Sequence, residues 1–155
     1  MVLFDDYLQA YVAAHQIDIS PDVLHQAGLA VARKVYQVLK ERGFRATFIG
    51  GGARGLHHFT EMVGGDVCIT INWEGTADKL LESNPPVVFR LFNPVPQKTI
   101  DELMEKLPDF KRGYLEDGLA IVDYDHFGPV ELFRSIFVTS WKRVQTIIEE
   151  RRGKV

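Results

Sequence analysis

The spacing of apolar positions divides the chain into helical and extended stretches. Phe4, Leu8, Tyr11 and Val12 recur at helical intervals, which predicts a short amphipathic helix over 3–15. Ser20-Pro21-Asp22 marks the next helix start. The Ser20 hydroxyl can accept from a free backbone N–H, and proline has no N–H to leave unpaired at the first helical position. From there Leu24, Ala27, Val31, Val35, Val38 and Leu39 form one stripe to about residue 42, where Gly43 ends the helix. Gly28, Ala30 and Ala32 are small and permit close approach by another element.

Residues 44–49 alternate, with Phe44, Ala46 and Phe48 on one face, and read as a strand. Residues 53–63 fit a helical turn through Leu56, Phe59, Met62 and Val63 as well as they fit an irregular strand. Residues 66–73 alternate again, Val67, Ile69, Ile71 and Trp73 inward, Asp66, Cys68, Thr70 and Asn72 outward. A short helix capped by Thr76 is expected over 76–83. Pro85-Pro86 leads into 87–92, apolar on both faces and so expected at the centre of a sheet.

Thr99 and Glu102 read as a capping box that opens a helix over 99–107, stopped by Pro108-Asp109. Residues 110–115 and 119–124 read as a hairpin around Glu116-Asp117-Gly118. Gly128-Pro129 opens the last helix. Its stripe of Val130, Phe133, Ile136, Phe137, Trp141, Val144, Ile147 and Ile148 is the strongest in the chain. Arg151, Arg152 and Lys154 follow at its C-terminus, where the helix dipole favours cations. The expected fold is α+β: one domain over 1–155, with a single antiparallel or mixed sheet of about five strands and helices packed mainly on one face.

Composition narrows the function classes. With 46% hydrophobic and 25% charged residues over 155 positions, the chain is an ordinary globular one. A net charge of -3 argues against a surface built to neutralise a phosphate backbone, so nucleic acid is a disfavoured partner. The single cysteine, Cys68, rules out an internal disulfide and suits a reducing compartment. The start of the chain carries Asp5 and Asp6 where a secretory leader needs bases, and no run approaches the length of a membrane span. A cytoplasmic location and no membrane partner are expected.

The candidate chemistry gathers in Gly50-Gly51-Gly52-Ala53-Arg54, followed by His57-His58 and by Asp66 at the next strand. A glycine turn between two strands exposes bare backbone to a ligand or partner. His57 and His58, placed on a strand, would point to opposite faces and could not share a metal. Arg90, in an apolar stretch, needs a counter-charge if buried and otherwise could anchor an anion or a partner. Cys68 lacks an activating histidine in a recognisable arrangement and reads as an inert thiol. Asp123 and Asp125-His126 read as ordinary turn chemistry before a helix. No catalytic residue, metal site or cofactor is assigned. Gly50, Gly51, Arg54, His57, His58, Asp66 and Arg90 are candidates for ligand or partner binding.

The order Gly50-Gly51-x-x-Arg54, after a helix and a strand and before Asp66, resembles the signature of the nucleotidyltransferase fold. Gly43-Phe44-x-Ala46 and Leu56 add likeness to its tRNA nucleotidyltransferase and poly(A) polymerase branch. The resemblance covers about 35 residues. It implies that Gly50 and Gly51 approach a triphosphate, that Arg54 contacts phosphate and that Asp66 binds a divalent metal. The chain departs from the pattern where chemistry needs it most. Cys68 stands where the second carboxylate belongs, and 87–92 offers Arg90 instead of a third. Two hard cations need several oxygen ligands, which this set does not supply.

The element order and acidic charge are also similar to the type III secretion chaperone group, which is cytoplasmic, usually dimeric and acts by holding another protein chain. Missing carboxylates argue against catalysis. The expected function is therefore a non-catalytic protein-binding module of chaperone, adaptor, immunity or inhibitor type. Its expected partner is another protein, with a homodimer as one form. The stripe of the last helix is expected to pack in the core; the alternative is that part of it, with the small-residue face of the 21–42 helix, supports a dimer or partner surface. The alternative is an inactive nucleotidyltransferase-like protein that binds a nucleotide.

Overall fold

The computed structural model describes residues 2–153; Met1, Val155 and the basic end expected at Lys154 lie outside the described residues. The protein is mostly helical. In chain order the elements are α1 (Val2–His15), α2 (Pro21–Leu24), α3 (Ala27–Glu41), β1 (Phe48–Gly50), α4 (His57–Thr60), β2 (Val67–Ile69), α5 (Asp78–Ser83), α6 (Gln97–Lys106), α7 (Pro108–Tyr114) and α8 (Gly128–Arg152). The sheet has two strands, β1 and β2, paired in parallel with Phe48 opposite Val67 and Gly50 opposite Ile69.

The five-strand sheet expected from the sequence is therefore wrong. Residues 87–92 are apolar on both faces but form no strand; Val87, Phe89 and Phe92 are exposed, and only Leu91 is buried. Their backbone instead caps a loop, as the Arg90 and Leu91 N–H groups both donate to the Val63 carbonyl. The expected hairpin is also absent. Residues 108–114 are helical because Pro108 starts α7 rather than only ending α6, and 121–126 wind into a 3-10 turn. Alternation over 110–115 was matched equally well by Phe110 and Tyr114 four residues apart, whose rings stack at 5.3 Å. Without the hairpin and the three strands, the element-order likeness to the secretion chaperones has no counterpart in the fold.

Smaller differences have local causes. The helix expected over 21–42 breaks at His25-Gln26 into α2 and α3. Ser20 does cap α2, its hydroxyl accepting from the Asp22 N–H at 3.3 Å. Gly43 ends the helical stretch at φ +65°, a region that costs an L residue about 1 kcal/mol. The Thr99–Glu102 capping box does not form, since α6 begins two residues earlier at Gln97, after Pro96. Thr76 does not cap α5; its hydroxyl donates back to the Asn72 carbonyl.

Two cores flank α3. On one side Phe4 and Leu8 of α1, Ala27 and Ala30 of α3, Ile100 and Leu103 of α6, and Phe110 of α7 pack together with Leu107 and Phe127. On the other, Leu29, Ala32 and Tyr36 of α3 meet Met62 and Leu91, with Phe48, Val67 and Ile69 of the small sheet against them. The small residues of α3 are what let both neighbours close on one helix. Burial of the largest of these side chains stabilises each contact by roughly 1.5–3 kcal/mol.

Candidate functional site

The glycine segment is a tight connection between β1 and the α4 turn. The Gly50 carbonyl accepts from Thr70 N–H at 2.8 Å, and the Ala53 N–H donates to the Thr70 carbonyl at 3.0 Å. Gly51 and Gly52 bulge out between these two bonds. Gly52 sits at φ +66°, which explains a glycine there. The Arg54 guanidinium folds back over the turn, donating to the Gly52 carbonyl at 3.0 Å and to Asp6 at 3.4 Å.

Beneath the turn lies a buried polar relay, built from residues that the sequence pattern does not bring together. Asp5 and His58 are both nearly inaccessible. Asp5 Oδ1 accepts from the Gly28 N–H at 2.7 Å, and Asp5 Oδ2 lies 3.2 Å from His58 Nε2. His58 Nδ1 accepts from the backbone N–H groups of Arg54 at 3.1 Å and Gly55 at 3.3 Å. Those two donors require the tautomer with its proton on Nε2, which then donates to Asp5. Gly28 is in the first turn of α3, whose N–H groups lack helical partners. Asp5 thus caps α3 from a different helix, and His58 ties the glycine turn to that cap. The Asp5 carboxylate fills the space a Gly28 side chain would take.

His57 lies against the His58 ring and is only partly buried. It stacks on His25 with ring centroids 5.5 Å apart, beside a polar cleft of about 320 Å³ that Asp22, Gln26 and Glu61 also line. Burial pushes the His57 imidazole below the usual histidine range, and neighbouring His58 and His25 push it further. The two adjacent histidines sit on a helical turn rather than the strand considered above, with ring centroids 4.0 Å apart. Among the described residues, no three His, Cys, Asp or Glu side chains gather as a metal site.

The remaining candidates lie elsewhere. Asp66 precedes β2, and the strand register places it beside the start of β1, roughly 10 Å from the glycine turn at that strand's far end. It is exposed and pairs with Lys40 at 3.1 Å. Cys68 is exposed on β2, opposite Ile49. Arg90 reaches Glu61 at 3.5 Å; Glu61 also holds Arg33 at 2.8 Å. Arg33 Nη2 is shared further with the Glu61 and Arg90 carbonyls, so this ion pair fastens α3 to the loops after α4 and before α6. Gly50, Gly51, Arg54 and His58 are therefore brought together; Asp66 and Arg90 are not with them. Sequence reasoning missed Asp5 and Asp6 at this place. A usable signal was present: Asp5 adjoins Phe4 on an otherwise apolar helix face, and Gly28 leaves a matching gap.

The last helix presents a different kind of surface. Its root is fixed. Pro129 is buried, and a side chain at Gly128 would run into the Tyr7 ring. Tyr7 donates to Asp109 at 2.5 Å; burial and that bond hold its hydroxyl well above the usual tyrosine range, so it stays a donor. Beyond Leu132 every described residue to Gly153 is exposed. The stripe expected to face a core instead faces solvent, with Phe137 60% and Trp141 63% accessible. Among the described residues no helix is long and apolar enough to cross a membrane.

No family model matches the chain, and no curated protein or solved structure matches it either.

Proposed function

We propose that the chain is a non-catalytic protein-binding module, of the adaptor, immunity, inhibitor or chaperone kind, and that α8 is its binding element. The observation that carries this reading is the exposed α8 stripe. Val130, Phe133, Ile136, Phe137, Trp141, Val144, Ile147 and Ile148 lie on one side of the helix, each 40% or more accessible. They offer on the order of 800 Å² of apolar surface. A monomer's largest such patch is usually roughly 300–600 Å². Aromatic anchors of this kind dominate protein interfaces. A photo-crosslinking residue placed at Trp141 tests it in cells expressing the chain. The expected result is a covalent adduct with a protein chain that disappears when Phe137→Asp is added. Absence of any protein adduct at position 141 would remove the support.

A second reading has one observation in its favour. β1 and β2 run parallel and are joined through the glycine turn and α4, the order that the nucleotidyltransferase resemblance implies. Under it, Gly50, Gly51 and Arg54 bind a nucleotide without turning it over. Against it stand the four-residue α4, the engagement of Arg54 by Gly52 and Asp6, and the distance of Asp66 from the turn. Thermal shift with ATP, CTP or GTP plus magnesium separates the two. Stabilisation that vanishes in Arg54→Ala supports nucleotide binding, and no shift supports the first reading.

A further inference from the structure

We infer that α8 pairs with α8 of a second copy of this chain, antiparallel, through the Val130–Ile148 stripe. This deepens the reading of α8 as the binding element and rests on it. Residues 133–152 form a helix whose every residue is exposed, with Arg134 bonded back to the Asp125 carbonyl at 3.4 Å. Seven of those 20 residues are β-branched, and all but two of the seven are also apolar. A free helix of that composition is marginal in water, because helices in proteins are held mainly by packing of their apolar face. Something must cover the stripe.

Size and self-complementarity point to a second copy. The stripe offers on the order of 800 Å² per protomer, which is about what each partner gives to a standard-size interface. A twofold axis needs a surface that is complementary to itself. The stripe meets that condition: two of its three aromatics, Phe137 and Trp141, lie near its midpoint, with Val130 and Ile148 at its ends. Antiparallel pairing brings each Val130 against the partner's far end and packs the aromatics at the centre.

Charge sets the direction. Glu131 lies in the first turn of α8 and Arg151 and Arg152 in the last. Antiparallel packing keeps Arg151 and Arg152 of one copy away from their mates and opposes the two helix dipoles favourably. Parallel packing would put two arginines beside two arginines. Glu131, Lys142 and Glu149 fall by helical spacing on the opposite side and stay in water.

The test uses the full chain. Light scattering and sedimentation at micromolar concentration should give twice the 17.6 kDa protomer mass. Phe137→Asp should weaken association roughly 100- to 1,000-fold, since each substitution enters the interface twice. Its thermal unfolding at low concentration should match the parent, because Phe137 packs on nothing buried within the protomer. Direction is read by disulfide trapping in a Cys68→Ser background. Ser140→Cys, near the axis, should crosslink. Arg151→Cys should not, as it lies about 18 Å along the helix from that axis and about twice as far from its mate. Crosslinking at both positions would mean parallel helices and overturn the arrangement. A strict monomer would overturn the dimer, while an adduct from position 141 to a different protein would leave α8's binding role standing. A monomer that binds anionic phospholipid vesicles, and loses them with Phe137→Asp, would assign the stripe to a membrane surface and overturn both.

Discussion

Removing the Asp5 carboxylate should be among the most damaging single changes in the protein, and the structure gives its size. Asp5→Ala strands two buried donors, the Gly28 N–H and the His58 Nε2–H. Each unmet buried donor costs about 1–3 kcal/mol. Loss of the negative charge at the start of α3 adds roughly 0.3–1 kcal/mol. The total is about 2–7 kcal/mol. For a chain of this length that lowers Tm by roughly 6–21 °C. Urea unfolding should show the fall as a lower midpoint with an unchanged slope. Asp5→Asn is a sharper probe. One amide oxygen can satisfy Gly28, but the amide N–H₂ then faces the His58 donor. Reversing the His58 tautomer would only set its Nδ1 proton against the Arg54 and Gly55 donors. Asparagine should therefore recover less than half the loss. His58→Ala placed on Asp5→Ala should cost less than the two singles summed, by about 1–2 kcal/mol, since one of the stranded donors is gone. An Asp5→Ala variant within about 0.5 kcal/mol of the parent, or a strictly additive cycle, would refute the relay.

Four further outcomes are expected. Gly28→Ala forces a methyl into the Asp5 carboxylate and should cost about 2–4 kcal/mol by urea unfolding, despite alanine's better helix propensity. Glu61→Ala leaves the Arg33 charge half-buried without its carboxylate and should cost about 1–3 kcal/mol, whereas Asp66→Ala, at an exposed ion pair, should change stability by under about 0.5 kcal/mol. Gly128→Ala collides with Tyr7 and should lower Tm by several degrees (about 1–3 kcal/mol), with a matching loss at the α1–α8 root in hydrogen exchange. His57 has its folded pKa depressed, so the folded state holds fewer protons than the unfolded just below pH 6.5. Its contribution to stability is present above that pH and is lost as pH falls through the folded value. His57→Gln should flatten the decline of stability between about pH 7 and pH 5, which a series of urea melts would measure.

How much of this was legible in the chain varies by element. The boundaries of α1 and α8 and the end of α3 followed from stripes of apolar residues and from Gly43 and Pro129, because those signals act within one turn; the break that starts α3 at Ala27 did not. The strands were misjudged for a physical reason. Residues 87–92 satisfy the pattern of a central strand, yet a strand needs neighbours on both sides, and the chain around it closes into α5 and α6 instead. Phe110 and Tyr114 fit a strand face or a helix face equally, and Pro108 decided for the helix. At the glycine turn, sequence order brought Gly50, Gly51 and Arg54 together. It could not show that Asp66 sits at the opposite end of the strand pair, because that depends on parallel register. Asp5 and His58 are 53 residues apart, and no local pattern links them.

The fate of the α8 stripe shows what a hydrophobic pattern leaves undecided. A row of apolar residues states that a helix will be covered, but not by what. Coverage inside the chain needs a complementary unpaired face, and the two cores offer none: Phe4 and Leu8 are matched with Leu103, Leu107 and Phe110, and Leu29 with Met62 and Leu91. What remains of the α3 stripe, Val31, Val35, Val38 and Leu39, lines a groove of about 270 Å³ against Tyr114 and Leu119. A groove of that volume seats one or two side chains. The α8 stripe runs about 27 Å along its helix, so the groove cannot take it. Tyr7 and Gly128 further fix the root of α8 in a direction from which the helix leaves the body. The root thus holds the stripe away from both cores, and under the dimer proposed above a second α8 covers it.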